Sequence, residues 1–147
     1  MKHQRLVLPR KISQFLQRKV RKRANFLCEY CHADERWQFV TFTIDHIIPV
    51  SQDGDDSLKN PALACFNCNR CKSDRQTIGK IPLFNPRKML WNEHFIWSKD
   101  FLRIMPKSAT AKITIELLQL NRERILLIRA DDVKVNRHPP KDDEIEN

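Results

Sequence analysis

The chain has 147 residues, 41% of them hydrophobic, and its 27 basic against 18 acidic side chains give a net charge of +9. This length allows one modest domain with an extension. No apolar run approaches the roughly 18 residues of a membrane span, which predicts an intracellular, cytoplasmic protein with no membrane partner. Nine basic side chains and no acid lie within residues 1–27. This arm therefore carries the whole excess charge and predicts attraction to a polyanion, the alternative being a solvated helix face.

The first half of the chain predicts one helix and two strands. The helix covers residues 10–27, with Ser13 as its N-cap and apolar side chains at every fourth position. A strand is predicted over residues 37–45, where aromatic and β-branched residues dominate. Residues 51–59 favour a loop, and a short second strand is expected near residues 62–64.

The second half predicts two helices with an irregular segment between them. A helix is expected over residues 66–77, an irregular segment over 80–106, and a long helix over 109–129. The charged tail has the composition of a disordered segment. These elements predict a basic N-terminal arm and helix, a central core, a C-terminal extension and a disordered tail, at residues 1–27, 28–78, 79–130 and 131–147.

Four of the five cysteines form two C-x-x-C pairs, CEYC and CFNC. Two thiolates at this spacing can turn toward one point about 2.3 Å from each sulfur, and two such pairs complete a tetrahedron around zinc. A closed four-thiolate site leaves no open position, so this metal is predicted to be structural. Four ordinary buried thiols are the other interpretation, and His32 and Cys71 are alternative ligands. The predicted zinc ligands are Cys28, Cys31, Cys65 and Cys68.

Between the two pairs, an apolar run ends in an adjacent acid and imidazole, Asp45 and His46. The pattern CEYC, IDHIIP, GDD, N and LACFNCNRCK resembles the HNH endonuclease family, in its small stand-alone type, over roughly residues 12–130. The resemblance implies an α+β fold. It also implies a ββα-metal (His-Me finger) core that the four-cysteine zinc site stabilises. An N-terminal basic helix would precede this core, and a C-terminal helical extension would follow it.

The same resemblance implies roles for four polar residues. His46 resembles the general base that activates water, and Asp45 and Asn69 resemble the ligands of a catalytic Mg²⁺ or another divalent cation. Asn60 resembles the asparagine that fastens the loop and aims His46. Adjacent residues of a strand point to opposite faces. We therefore expect the backbone to leave strand geometry at His46, helped by Pro49.

The predicted function is metal-dependent hydrolysis of phosphodiester bonds in DNA, expected to be double-stranded, with RNA left open. The alternative is a zinc-stabilised DNA-binding module without cleavage activity. His94 is interpreted as a packing residue, with a DNA or metal contact as the alternative. The candidate nucleic-acid contacts are basic residues of the first helix and of the helix that carries Asn69, namely Arg18, Lys19, Arg21, Lys22, Arg23, Arg70, Lys72 and Arg75.

Overall fold

The structure is a computed structural model that describes residues 12–55 and 57–147. The first eleven residues, with four of the basic side chains of the arm and the start of the predicted helix, lie outside the described residues. Helix α1 spans Gln14–Arg23. The Ser13 side chain accepts a hydrogen bond from the Leu16 N–H at 3.2 Å, which confirms the predicted N-cap.

A two-stranded antiparallel ladder forms the centre of the fold. Strand β1, Thr43–His46, pairs with β2, Pro61–Ala64. The second strand was predicted at this position, but the first was predicted too long. Upstream of β1, the carboxylate of Glu35 accepts the Phe42 N–H at 2.6 Å, so a side chain takes the place of a partner strand there.

Helix α2 spans Phe66–Lys72 and packs against β1, which completes a ββα unit. The helix was predicted to continue to residue 77. It ends at Ser73, whose φ of 53° is incompatible with helical backbone.

The segment predicted as irregular contains three short strands and one helical turn, and a fourth short strand lies just before it. Strands β3, Thr77–Ile78, and β4, Ile81–Pro82, form one hairpin. Helix α3, Trp91–His94, leads into β5, Phe95–Trp97. Strand β5 pairs with β6, which spans Ile104–Pro106.

The predicted long C-terminal helix is two helices, α4 at Ala109–Leu118 and α5 at Glu123–Lys134. Gln119 separates them because its φ of 52° lies in the left-handed region. The apolar periodicity continues across this break, which is why it predicts one helix.

The prediction of a disordered tail from Asp131 is wrong. Helix α5 continues to Lys134, and the following residues return to β5. The backbone of Trp97 accepts the Glu146 N–H and donates to the Glu144 carbonyl, at 2.8 and 3.0 Å. The tail is polar in composition, but these specific bonds to a buried strand hold it in place.

One hydrophobic core joins the cysteine segments, the β1–β2 ladder and the C-terminal extension. The fold is therefore α+β, with small sheets, as predicted. In the part of the chain that the structure describes, no helix is both long and apolar enough to cross a bilayer. The largest fully buried side chains include Trp97, Tyr30, Lys72, Phe84 and Phe95.

Candidate metal centre and active site

Four cysteine sulfurs lie together in the interior. The Sγ atoms of the two C-x-x-C pairs are all within 4.8 Å of one another, and all four residues are buried. Cys31 Sγ and Cys65 Sγ are 3.8 Å apart. Four sulfurs at about 2.3 Å from a tetrahedral zinc ion would be separated by about 3.8 Å. The structure thus brings all four predicted ligands to zinc-type geometry. The members of the cluster are Cys28, Cys31, Cys65 and Cys68.

Local backbone structure explains how the two pairs meet. The Glu29 N–H, inside the first pair, donates to the Leu63 carbonyl at 2.8 Å, and the Glu29 carboxylate accepts the Leu63 N–H at 2.8 Å. The first pair is therefore held beside β2, and β2 leads directly into the second pair. There Cys65 is the N-cap of α2, and its sulfur accepts the Cys68 N–H at 3.4 Å.

The chemistry of the cluster fits a soft divalent cation. Burial raises the pKa of the Cys28 thiol well above its ordinary value, so a thiolate there needs compensating charge. Hydrogen bonds from the neighbouring cysteine side chains lower the pKa of Cys31, with Cys28 the largest contributor. A zinc ion at the centre would stabilise all four ionised thiolates at once.

The two alternative ligands lie outside this group. Cys71 is half-buried, with its sulfur 3.8 Å from Asn67 Oδ1. His32 Nδ1 lies 2.7 Å from Asp143 Oδ2. The sequence alone left both open, and the geometry assigns each of them a different partner.

Asp45 lies in the interior, with only 4% of its surface exposed. Its Oδ2 accepts a hydrogen bond from the Tyr30 hydroxyl at 2.6 Å and lies 3.3 Å from Lys72 Nζ. Burial, and then the charge of Asp45, raise the pKa of Tyr30 well above its ordinary value. Two elements therefore hold this carboxylate: the turn of the first cysteine pair and the end of α2.

Lys72 does not fit its predicted role as a phosphate contact. Its side chain is 2% exposed, and Nζ contacts both Asp45 Oδ2 and the Ile47 carbonyl, the latter at 3.4 Å.

Tyr30, the other partner of Asp45, was not among the residues predicted from the sequence to belong to the site. The one available signal was its position between two predicted zinc ligands.

His46 is the last residue of β1 and lies opposite Pro61. The prediction that the backbone leaves strand geometry at His46 is wrong, because the pairing continues through this residue and the Ile47 N–H still donates to the Asn60 carbonyl at 3.3 Å. Alternation along the strand puts Asp45 and His46 on opposite faces of the ladder. Asp45 is buried, and His46 is half-buried.

The loop after His46 is closed by one buried asparagine. Asn60 Oδ1 accepts the Ile48 N–H at 2.8 Å, and Nδ2 donates to the carbonyls of Ile48 and Asp55 at 3.0 and 2.9 Å. Gly54 makes the closure sterically feasible, since a Cβ there would lie 1.7 Å from the Ile48 carbonyl oxygen. These bonds have the form expected of a residue that fastens the loop.

The candidate nucleic-acid contacts divide into two groups. Arg21 binds the Glu35 carboxylate and the Phe42 carbonyl, both at 2.9 Å, and Arg23 donates to the carbonyls of Leu58 and Pro61. These two arginines tie α1 to the ladder and its loop. The remaining candidates other than Lys72 are exposed, namely Arg18, Lys19, Lys22, Arg70 and Arg75.

Residues 28–75 match the family model of the HNH endonucleases. The chain contains an HNH domain. The matched segment includes the whole cysteine cluster and the ββα unit, with Asp45, His46, Asn60 and Asn69. A search of curated proteins found no match to the chain. The HNH domain points to nuclease activity, and the cysteine cluster points to a zinc-type metal site.

Proposed function

We propose that this protein is a metal-dependent endonuclease that hydrolyses phosphodiester bonds in double-stranded DNA. The observation that carries the proposal is the ββα unit of the HNH domain. One end of its ladder holds the cysteine cluster, and the other ends in Asp45 and His46 beside a loop closed by Asn60.

His46 is proposed as the general base. A neutral imidazole near pH 7 can accept a proton from water as the water attacks phosphorus. In an in-line displacement, the attacking water and the leaving 3′ oxygen lie on opposite sides of the phosphorus atom. The proposed phosphate position is the end of β1, where Asp45 and His46 are adjacent in the chain.

Asp45 and Asn69 are proposed to hold the catalytic divalent ion, Mg²⁺ or a similar cation. The Tyr30 hydrogen bond and the shortest Lys72 contact are both made to Oδ2 of Asp45, and Oδ1 is the oxygen proposed to face the ion. Asn69 lies three residues before Lys72 on α2, and Lys72 contacts Asp45, so the amide is on the neighbouring turn. When bound, the ion would neutralise charge on the phosphate and the leaving oxygen.

The small number of protein donors is compatible with Mg²⁺. Among the described residues, the cysteine cluster is the only group of three or more His, Cys, Asp or Glu side chains placed to hold a metal. Mg²⁺ commonly uses one or two carboxylates and completes its octahedron with water and substrate phosphate oxygens. Asp45 and Asn69 would supply the protein part of such a site.

The exposed basic side chains are proposed to bind the DNA backbone. Lys19 and Lys22 lie on α1, and Arg70 lies on α2 beside Asn69. Lysine and arginine contacts to phosphate position a nuclease without reading the base sequence. RNA is the alternative substrate, since hydrolysis at phosphorus does not require deoxyribose.

A zinc-stabilised DNA-binding module without cleavage is the second candidate. The observation in its favour is the burial of Asp45, whose Oδ2 already has Tyr30 and Lys72 as partners. A carboxylate in this setting could serve the fold alone. The two candidates differ in their need for Mg²⁺. A nuclease requires the ion for cleavage, whereas a DNA-binding module needs no second cation to bind DNA.

The test is a supercoiled-plasmid assay with Mg²⁺, Mn²⁺ or EDTA, in which wild-type protein is run beside His46→Ala. We expect cleavage in either cation, none in EDTA, and a 10²- to 10⁴-fold lower rate for His46→Ala. His94→Ala, which removes an imidazole of α3, is the matched control and should cleave like wild type. Equal rates for His46→Ala and wild type would overturn the role of His46, and DNA binding without cleavage in any cation would favour the module.

A further inference from the structure

The turn of the first cysteine pair and the candidate active site share a direct hydrogen bond. Tyr30 lies between Cys28 and Cys31, and its hydroxyl donates to Asp45 Oδ2 at 2.6 Å. Both partners are buried, at 1% and 4% exposure. The zinc-type cluster and the proposed second metal site are therefore separated by one side chain.

The environment of Tyr30 fixes the position of its hydroxyl. The Tyr30 carbonyl accepts the indole N–H of Trp91 at 2.9 Å. Its ring packs edge-on against Phe84, with 6.5 Å between the ring centroids. With the backbone held by the cysteine turn and the ring held by the core, the hydroxyl has little freedom to follow a moving carboxylate.

The bond from Tyr30 also determines which oxygen of Asp45 remains for a ligand. The Tyr30 hydroxyl donates to Oδ2, and the shortest contact of Lys72 Nζ is also to Oδ2. Hydrogen bonds to a ligating carboxylate set its orientation, and removing such a partner commonly costs 10- to 100-fold in metal affinity. The Tyr30 hydroxyl provides this restraint without adding charge, whereas the Lys72 ammonium would repel a nearby cation.

We propose that Tyr30 is a positioning residue, which orients Asp45 so that Oδ1 faces a divalent ion. The inference rests on the proposed function, since Asp45 as a metal ligand is part of it. Tyr30 has no contact with substrate in this account. Its effect on catalysis would pass entirely through Asp45.

The test measures Mn²⁺ binding to the zinc-loaded protein by electron paramagnetic resonance, for wild type, Asp45→Asn and Tyr30→Phe. Asp45→Asn should remove the binding. Tyr30→Phe should weaken it about 10-fold with zinc content unchanged, because the variant loses one oxygen and keeps its ring against Phe84. Thr43→Val is the matched control, since it removes a β1 hydroxyl that bonds the Ala64 carbonyl, and should bind Mn²⁺ like wild type.

A second readout separates positioning from general damage to the fold. In the plasmid assay, Tyr30→Phe should need about tenfold more Mg²⁺ for half-maximal cleavage while approaching the wild-type rate at saturating Mg²⁺. A merely structural role for Tyr30 would lower zinc content or thermal stability and leave the Mg²⁺ dependence of the folded fraction unchanged.

Failure of the inference is distinguishable from failure of the proposed function. Mn²⁺ binding that is lost in Asp45→Asn but unaltered in Tyr30→Phe overturns the role of Tyr30 and leaves the nuclease proposal intact. Asp45-dependent Mn²⁺ binding that weakens in Tyr30→Phe, in a protein that cleaves no plasmid, supports the inference and overturns the nuclease proposal. Wild-type protein that binds no Mn²⁺ besides its zinc overturns the inference.

Discussion

The two ends of the β1–β2 ladder differ in how many of the proposed metal ligands come from the protein. At one end, Ala64 leads into Cys65, and four buried sulfurs surround a single point. At the other end, about 10 Å away along four paired residues, His46 and Asp45 point to opposite faces beside a fastened loop. The first site has all its ligands from the protein, whereas the second would be completed by water and substrate.

This difference indicates what each end contributes. A closed tetrahedral site has no place for a substrate, so its effect is on folding. The other end, the open end, has few metal donors of its own and is where we propose that the phosphate binds. Helix α2 links them, because the clustered Cys65 is its N-cap and its last residue is Lys72, which contacts Asp45.

The largest expected effect is at the closed end. Cys68→Ser removes one zinc ligand, and we expect loss of bound zinc and of cooperative unfolding, since structural zinc contributes on the order of 10 kcal/mol to folding in small domains. Zinc content and circular dichroism measure the change. Cys71→Ser is the control, because Cys71 lies outside the cluster. A Cys68→Ser protein with wild-type zinc and stability would contradict the account.

A smaller effect is expected in the loop at the open end. Gly54→Ala puts a methyl group 1.7 Å from the Ile48 carbonyl oxygen, so the loop must move, at a cost of about 3 kcal/mol. Plasmid cleavage should fall while zinc content stays at the wild-type level. Gly79→Ala, with φ of 58° but open space around the new methyl, should lose about 1 kcal/mol and keep its cleavage rate. Equal cleavage rates for Gly54→Ala and Gly79→Ala would show that the conformation of this loop does not affect catalysis.

The smallest effects distinguish a basic residue of α1 that bonds within the fold from one that is exposed to solvent. Arg21→Ala breaks a pair with Glu35 and a bond to the Phe42 carbonyl, so it should lower the free energy of unfolding by about 1–2 kcal/mol. Lys22→Ala should change stability by less than about 0.5 kcal/mol. It should instead weaken DNA binding and reduce the slope of log affinity against log salt by about 0.9. An unchanged salt slope for Lys22→Ala would show that this side chain does not contact the DNA backbone.

The sequence predicted the closed end well, because two C-x-x-C pairs favour a four-thiolate site, although only the fold removed Cys71 and His32 from the candidate ligands. It also predicted the Ser13 cap and the position of β2. It missed the ends of elements that depend on a single backbone conformation, such as those at Ser73 and Gln119. The ordered tail was missed because hydrophilic composition does not reveal bonds to the buried Trp97.

At the open end, the sequence supplied residue types but little of the geometry. The resemblance implied roles for Asp45, His46 and Asn60, which stay predictions, and the side chain of Asn60 bonds the loop after His46. The partners of Asp45 come from segments before and after it in the chain, and neither Tyr30 nor Lys72 had a sequence pattern that pointed to the carboxylate. Such contacts become visible only when the fold brings these segments together.

The most direct test follows zinc content and plasmid cleavage in one sample through mild EDTA treatment, removal of EDTA and addition of Mg²⁺. We expect about one zinc per chain throughout, with cleavage absent after EDTA and restored by Mg²⁺ alone. Cleavage that persists without added Mg²⁺, or that returns only when zinc is supplied, would contradict a structural cysteine site separate from a divalent-ion site at Asp45 and His46.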